Sequence, residues 1–495
     1  MHTSWEAIEA YTRNLACYST RMVLCLAGWV GIFPLPVSLA RLFDILYTVD
    51  ALSYSELKGC VLLSKSKFLN DFVVGIDVAS EFSLVAMLDP DGELIRKPFR
   101  IDHNPAGFQY LLQVLKKEEE RLNRSPIYFV ESTGIFHLPL FFFLRSNDLK
   151  GFVLNPLCVH STKNHNIRKV KNDKKDAVAI AELAKFKDVK VSLVPEPQVI
   201  SLRMLVREYF ALADNLTDCK LRFLNDLRLL FPGFKDVFSN PFSVAAFTIL
   251  NAYPSIKSLQ HADMSELAAT IAKNSRRSLI WANSKLVKLF DYANIAEAIG
   301  LCSVAMEEKI RIQIQTIKSI ADSMTRIQKT IQNLILSDAF PKDVREHISL
   351  LDAMPGIGFI SAATLIAEIG DFSKFKSAKA FTAFFGVDPT IKESGKFKGD
   401  LNRMSKRGTK LGRRILFTIS MASIRKTRNG NAINPILKAF YETKIISKKK
   451  KVALVAVMHK LLHYIFAVLR EQKPFEFRKP EAHAISLMER LKLVA

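Results

Sequence analysis

The spacing of apolar residues changes character along this chain. Residues 72–88 run apolar and alternate as strands do, DPDG at 89–92 is a turn signal, and 93–101 reads as a further strand. Asn104-Pro105 opens a helix to about Leu122, followed by a strand at 126–131, a helix at 137–147, a strand at 151–155 and a helix from Asp173. The order β-β-β-α-β-α-β-α predicts an α/β domain over 71–193. From 194 to 342 the period turns helical with few glycines, as in 202–231 and 304–335, and predicts a helical or coiled-coil spacer. So long an amphipathic rod as 304–335 needs a cover for its apolar seam. A dimer-forming or arm-like coiled coil is expected, with packing inside one chain as the alternative.

Residues 343–475 predict a mainly α C-terminal domain, and 476–495 a tail. Within that domain MPGIGFISAATLIAEIG reads as a helix–hairpin–helix. Gly356 and Gly358 permit a tight turn whose amides approach a phosphate at a helix N-terminus; a plain interhelix turn is the bland alternative. Residues 1–70 fit none of this. Met22–Ala40 is uncharged for 19 residues between Arg21 and Arg41, nominally long enough to span a membrane, but holds Pro34 and Pro36. A dispensable N-terminal extension is the expectation, and a membrane partner is not.

Charge narrows the partner. The formal charge is +23, and 15 of that excess lies between Lys392 and Lys451, where 18 Lys/Arg face 3 Asp/Glu. So concentrated an excess points to a polyanion rather than to a generally solvated surface. The six cysteines are scattered, without a CxxC pair, which argues against a zinc knuckle and a disulfide scaffold.

Four acids are the candidate chemistry. Asp77 lies inside the apolar strand VVGIDVA, where an uncompensated carboxylate is costly. Glu131 ends the apolar run IYFVES, and Asp173 and Asp176 share one face of the helix opening KNDKKDAVAIAELA. Taken singly, Glu131 fits a turn, and the two helical Asp fit capping. Together, on the first strand, after the fourth strand and on the last helix, they match a ribonuclease H-like (RuvC-like) fold. Its carboxylates would share one or two Mg²⁺ ions. Lys171, Lys174 and Lys175, with Lys163, Arg168 and Lys169, would hold a phosphate backbone beside them.

GIDV with Asp77, ESTG with Glu131 and KNDKKDA with Asp173 and Asp176 are followed by MPGIG, FFGVDPTIKESGKFKG (384–399) and MSKRGTKLGRRIL (404–416). In these blocks the chain resembles the DEDD-type insertion-sequence transposases, related to the Piv and MooV site-specific DNA invertases, over about 71–470. The resemblance implies a Mg²⁺-dependent RuvC-like domain and a second catalytic domain with a nucleophilic serine. By position that serine is Ser394, in ESG, with Ser405, in SKRG, as the fallback. The serine would attack a scissile phosphate to form a serine–DNA link in a composite site with the four acids. No histidine lies near Ser394 in sequence to activate it. Lys396 and Lys398 flank the serine, and Arg403, Lys406, Arg407, Arg413 and Arg414 would grip phosphates. The resemblance further implies donor and target double-stranded DNA, a structured guide RNA encoded by the element, and a homodimer or homotetramer in the bacterial cytoplasm at the nucleoid. No RNA-binding motif with stacking aromatics is evident in the sequence.

Three other readings compete. A hydrolytic Holliday-junction nuclease would use the same acids with water, but needs neither ESG nor SKRG. A non-catalytic nucleic-acid-binding protein would not need all four acids. An actin-like sugar kinase would need glycine-rich phosphate loops that the chain lacks.

Overall fold

The computed structural model describes residues 67–131, 134–154, 173–187, 191–192, 196–296, 303–390, 393–394, 397–398 and 403–477. The Met22–Ala40 stretch, Lys171 and Lys396 lie outside them. The chain divides into two units, one ending at Val194 and the other beginning at Pro195.

In the first unit a mixed sheet is built from β1 (Val73–Val78), β2 (Phe82–Leu88), β3 (Phe99–Asp102), β4 (Ile127–Glu131) and β5 (Lys150–Leu154). The helices are α1 (Pro105–Leu122), α2 (His137–Ser146) and α3 (Asp173–Phe186), and a two-residue strand β6 (Val191–Ser192) adds to the edge. The spatial order is β3-β2-β1-β4-β5-β6, with β1, β4 and β5 parallel and the rest antiparallel. The element order is the one the periodicity predicts. The predicted strand over 93–101 is shorter than expected: Leu94 makes a lone bridge to Leu88, and the regular ladder resumes only after Pro98. Proline lacks the N–H a ladder needs.

Strand alternation sorts the two faces. Val74, Ile76, Val78 and Val130 pack with Leu111 and Leu115 of α1 and Leu140 and Leu144 of α2. Val73 and Phe129 pack instead with Ile180, Ala181 and Ala184 of α3. The helix starts are chemically specified: Asn104 caps α1 by accepting from Gly107 N–H, and Pro105 occupies the first turn, where its missing N–H costs nothing.

The second unit is mainly helical. It comprises α4 (Pro197–Leu230), α5 (Val244–Ala252), α6 (Met264–Ser275), α7 (Leu279–Ala296), α8 (Val304–Leu336), α9 (Lys342–Asp352), α10 (Phe359–Ile369), α11 (Ala378–Phe385), a small ribbon of β7 (Glu393–Ser394) and β8 (Phe397–Lys398), α12 (Lys410–Ser423), α13 (Pro435–Ser447) and α14 (Lys450–Glu471). The rod at 304–335 is α8, and it lies along α4 of the same chain. Val199, Leu202 and Val206 share a core with Ile331 and Ile335, while Cys219, Phe223 and Leu227 share another with Ile310, Ile314 and Ile317. The two helices are therefore antiparallel, and the seam finds cover inside the chain.

Two cores result. One gathers α9 to α14 around the base of the helical pair, the other gathers α5 to α7 around its far end. Between them no residue of 207–218 or 318–330 is buried. The first core centres on α14, whose Val457, Leu461, Leu462 and Ile465 are fully enclosed. Each such side chain contributes about 1.5–3 kcal/mol relative to exposure. This helix is long and apolar enough to cross a membrane, but most of its apolar window is buried in the core.

Candidate active site

Asp77 is the fifth residue of β1 and Glu131 the last of β4. The two strands are parallel, with Ile76 opposite Val130, so Asp77 and Glu131 stand one step further on, side by side. Alternation turns Val73, Gly75 and Asp77 to the face that also carries Phe129 and Glu131, the face covered by α3. Glu131 is 8% exposed, and Asp77 is half-buried.

Gly75 explains how closely α3 lies. A Cβ there would stand 2.4 Å from the carbonyl oxygen of Ala177 and 2.5 Å from the amide nitrogen of Ala181. The helix backbone thus rests directly on β1, two residues before Asp77. Asp176 immediately precedes Ala177, and Asp173 is the first residue of α3. The two strand acids and the N-terminal turn of the helix therefore meet at one end of one sheet face. Among the described residues, no three ligating groups already converge into a closed cation site. The donor set is all carboxylate oxygen, the chemistry that suits Mg²⁺. Lys174 and Lys175 are exposed on the first turn of α3.

In the second unit the Gly356–Gly358 turn joins α9 to α10. Gly356 has φ of +96°, and a Cβ on it would strike the Ser423 hydroxyl at 2.3 Å, so its glycine serves close packing against α12. Gly358 caps α10 with open space before it, leaving that helix N-terminus accessible.

Ser394 pairs with Phe397 across the β7–β8 ribbon, and Lys398 ends it. Ser405 sits in a second ladder. Its N–H donates to Asp388 O at 2.9 Å, Thr390 N–H donates to Arg403 O at 2.7 Å, and its hydroxyl donates to Asp388 Oδ1 at 2.6 Å. That hydroxyl is committed to holding the loop. Lys406 follows in left-handed conformation, φ +56°.

The basic residues divide. Arg403, Lys406 and Arg407 are exposed. Arg413 donates to the carbonyls of Phe385 and Gly408, at 3.2 and 2.9 Å. Arg414 pairs with Asp214 at 2.7 Å and lies 5.1 Å over the Phe210 ring. These last two arginines tie α12 to its own surroundings.

Sequence reasoning missed Glu368, an acid in the apolar helix α10, although ATLIAEIG carries the same signature that singled out Asp77. Glu368 pairs with Arg207 of α4 and accepts from the Thr409 hydroxyl at 2.6 Å, and Thr409 caps α12. Burial works against its charge, but the hydrogen bonds from Arg207 and Thr409 and the charges of Arg207 and Arg203 outweigh this and hold its pKa below the usual range. The cluster fixes the loop carrying Ser405, Lys406 and Arg407 to the base of the helical pair.

Comparison with known proteins bears directly on this arrangement. Residues 74–232 match the DEDD family of IS110 type, described as "Transposase". Residues 348–442 match a second family, described as "Transposase IS116/IS110/IS902 family". The chain is 22% identical over 409 residues to the insertion element IS116 uncharacterized 44.8 kDa protein of Streptomyces clavuligerus, covering 81% of this chain and 95% of that one. It is 32% identical over 162 residues to the pilin gene-inverting protein of Moraxella bovis, covering 33% of this chain and 48% of the relative. It is 29% identical over 131 residues to the transposase for insertion sequence element IS1111A of Coxiella burnetii, 26% of this chain and 35% of that one. The acidic sheet edge falls inside the first family match and α10 to α12 inside the second, and both matches describe transposases. The chain belongs to the IS110/IS116/IS900 family of insertion-sequence transposases, with a DEDD N-terminal domain and a C-terminal domain of the IS116/IS110/IS902 type.

Proposed function

We propose that this transposase cuts and rejoins DNA through a covalent serine–DNA link, using a ribonuclease H-like acidic domain over 71–193 and a second catalytic domain over 343–475. The observation that carries the reading is the juxtaposition of Asp77 and Glu131 on adjacent parallel strands, facing the helix that begins with Asp173 and Asp176. These four carboxylates would hold one or two Mg²⁺ ions. When bound, the metal supplies charge neutralisation at the scissile phosphate.

In the cutting step Ser394 Oγ attacks phosphorus and a P–O–sugar bond breaks. The serine proton ends on the released sugar hydroxyl, and the strand stays esterified to Ser394. Attack by a strand hydroxyl on that phosphoserine restores the serine and closes the exchanged strand. Each ester formed replaces an ester broken, so no external energy source is needed. Ser394 is favoured over Ser405 because the Ser405 hydroxyl is bound to Asp388.

Arg403, Lys406, Arg407, Lys174 and Lys175 would meet DNA phosphates, with the open amide end of α10 in a helix–hairpin–helix as a further anion site. Donor and target duplexes, a structured guide RNA encoded by the element, and a homodimer or homotetramer complete the reading. The basic excess near the C-terminus supports a polyanion partner.

The test is a denaturing gel for protein attached to element-end DNA, with Mg²⁺ and RNA transcribed from the element's flanks. Wild type is run beside Ser394→Ala, Ser405→Ala and Asp77→Ala. The reading expects a metal- and RNA-dependent adduct that persists in Ser405→Ala and vanishes in the other two. Cleavage without adduct that survives Ser394→Ala would make the protein a hydrolytic nuclease.

A further inference from the structure

The second unit has a concave pocket of about 490 Å³ between α13 and α14, lined by Phe440, Ala456, His459, Lys460, His463 and Tyr464. The His459 and His463 rings lie 4.8 Å apart, tilted by 32°. Lys460 Nζ sits 4.5 Å from the Phe440 centroid and 5.9 Å from that of Tyr464, and Lys444 Nζ sits 5.2 Å from Phe440. The walls are ring faces interleaved with ammonium groups. Partial burial, with the neighbouring His463, lowers the His459 pKa and favours an uncharged ring.

The start of α14 adds a second observation. Lys448–Lys451 crowd a helix N-terminus that has no acidic residue in its first turn and no side-chain cap. Among the described residues, none of these four lysines pairs with a carboxylate. Cations at the positive pole of a helix are unfavourable unless an anion lies against them. Lys449, Val452, Ala456, His459 or Lys460, and His463 recur at three- and four-residue steps, so one stripe of α14 joins the lysines to the pocket. Lys449 and His459 are about 15 Å apart along the axis.

We propose that this pocket takes an unpaired nucleobase of a single-stranded nucleic-acid segment. The base stacks between Phe440 and the His459–His463 face. The flanking phosphates lie along Lys444, Lys460 and Lys448–Lys451. A concave site lined by ring faces requires a base whose own faces are free, which a base inside a duplex does not offer. The proposal rests on the reading of this protein as a nucleic-acid enzyme, but not on the serine step.

The test uses the full chain and short oligonucleotides carrying a single 2-aminopurine, as single-stranded DNA, single-stranded RNA and duplex. Single strands should show quenched fluorescence on binding. The double variant His459→Ala/His463→Ala should weaken single-strand binding roughly 5- to 150-fold, while leaving duplex affinity unchanged. Neither histidine belongs to the enclosed core, so folding should survive, with thermal melting as the check. Phe440→Ala should act in the same direction. Preferential loss for RNA or for DNA would identify which strand supplies the base. Equal loss for duplex and single strand, or unchanged quenching in the variants, would overturn the proposal. Serine chemistry is read separately: a Ser394→Ala protein that forms no adduct should still quench normally.

Discussion

Arg207 of α4 and Glu368 of α10 meet in a two-point contact, Nε to Oε1 at 2.8 Å and Nη2 to Oε2 at 3.2 Å. The Glu368 side chain is 3% exposed, whereas Arg207 is 56% exposed. The carboxylate therefore carries most of the desolvation, and removing it strands Thr409 and the Arg203 side of the cluster. Glu368→Ala should cost about 2–3 kcal/mol, below the range for a fully buried pair because Arg207 is solvated. The folded pKa of Glu368 is depressed, so its contribution is fully present above the unfolded value near 4.3 and is lost as pH falls through the folded one. Urea midpoints of wild type and Glu368→Gln should differ at pH 7 and converge only in acid, below the usual glutamate range. A difference that grew as pH fell would contradict this sign.

Gly75→Ala tests the seating of α3. The added methyl would meet backbone atoms of Ala177 and Ala181, which cannot swing aside as a side chain would. The expected cost is about 2–3 kcal/mol, from a shift of α3 off the sheet. DNA cutting should fall with it, because Asp173 and Asp176 ride on that helix. Undiminished cutting at wild-type stability would show that the contact is slack.

Asp77→Asn separates the role of charge from that of shape. Its melting temperature without divalent metal sets the reference for the metal-free fold. The rise in melting temperature that Mg²⁺ gives wild type should largely vanish. Scanning fluorimetry with and without Mg²⁺ reads both, and an unchanged Mg²⁺-dependent rise would remove Asp77 from the metal site.

Arg403→Ala and Arg407→Ala should each reduce the slope of log affinity against log salt by about 0.9 on duplex DNA. Arg414→Ala should leave that slope unchanged and lower the melting temperature instead, because its partner is Asp214 of α4. A reduced slope in Arg414→Ala would mean that the internal ion pair opens on DNA.

The acidic sheet edge was legible because a carboxylate in an apolar strand is costly, and because the order of strands and helices fixes which strands become neighbours. Asp77 and Glu131 could be read that way before any contact was known. The same logic applied to Glu368, but its partners Arg207 and Thr409 lie far from it in the chain, and nothing local marks them. Arg413 and Arg414 read as phosphate ligands beside Arg403 and Arg407, since sequence reports charge and not the direction of a side chain. The pocket at Phe440 was hidden for a similar reason: its rings come from two helices, and no local motif joins them. The split of the second unit into two cores was also invisible, because the helical period runs unbroken through 202–231.

Between those cores, the stretches 207–218 and 318–330 hold no buried residue, and α10 and α12 reach the near end of this stretch through Arg207, Phe210 and Asp214. The resistance of a beam to flexing falls steeply as its cross-section narrows. Thermal bending of the second unit therefore concentrates in this slender neck. The far bundle can swing through an arc while each core keeps its packing, and the neck acts as a spring whose stiffness is set by Leu212, Leu216, Ile320 and Ile327, the half-covered residues along its seam.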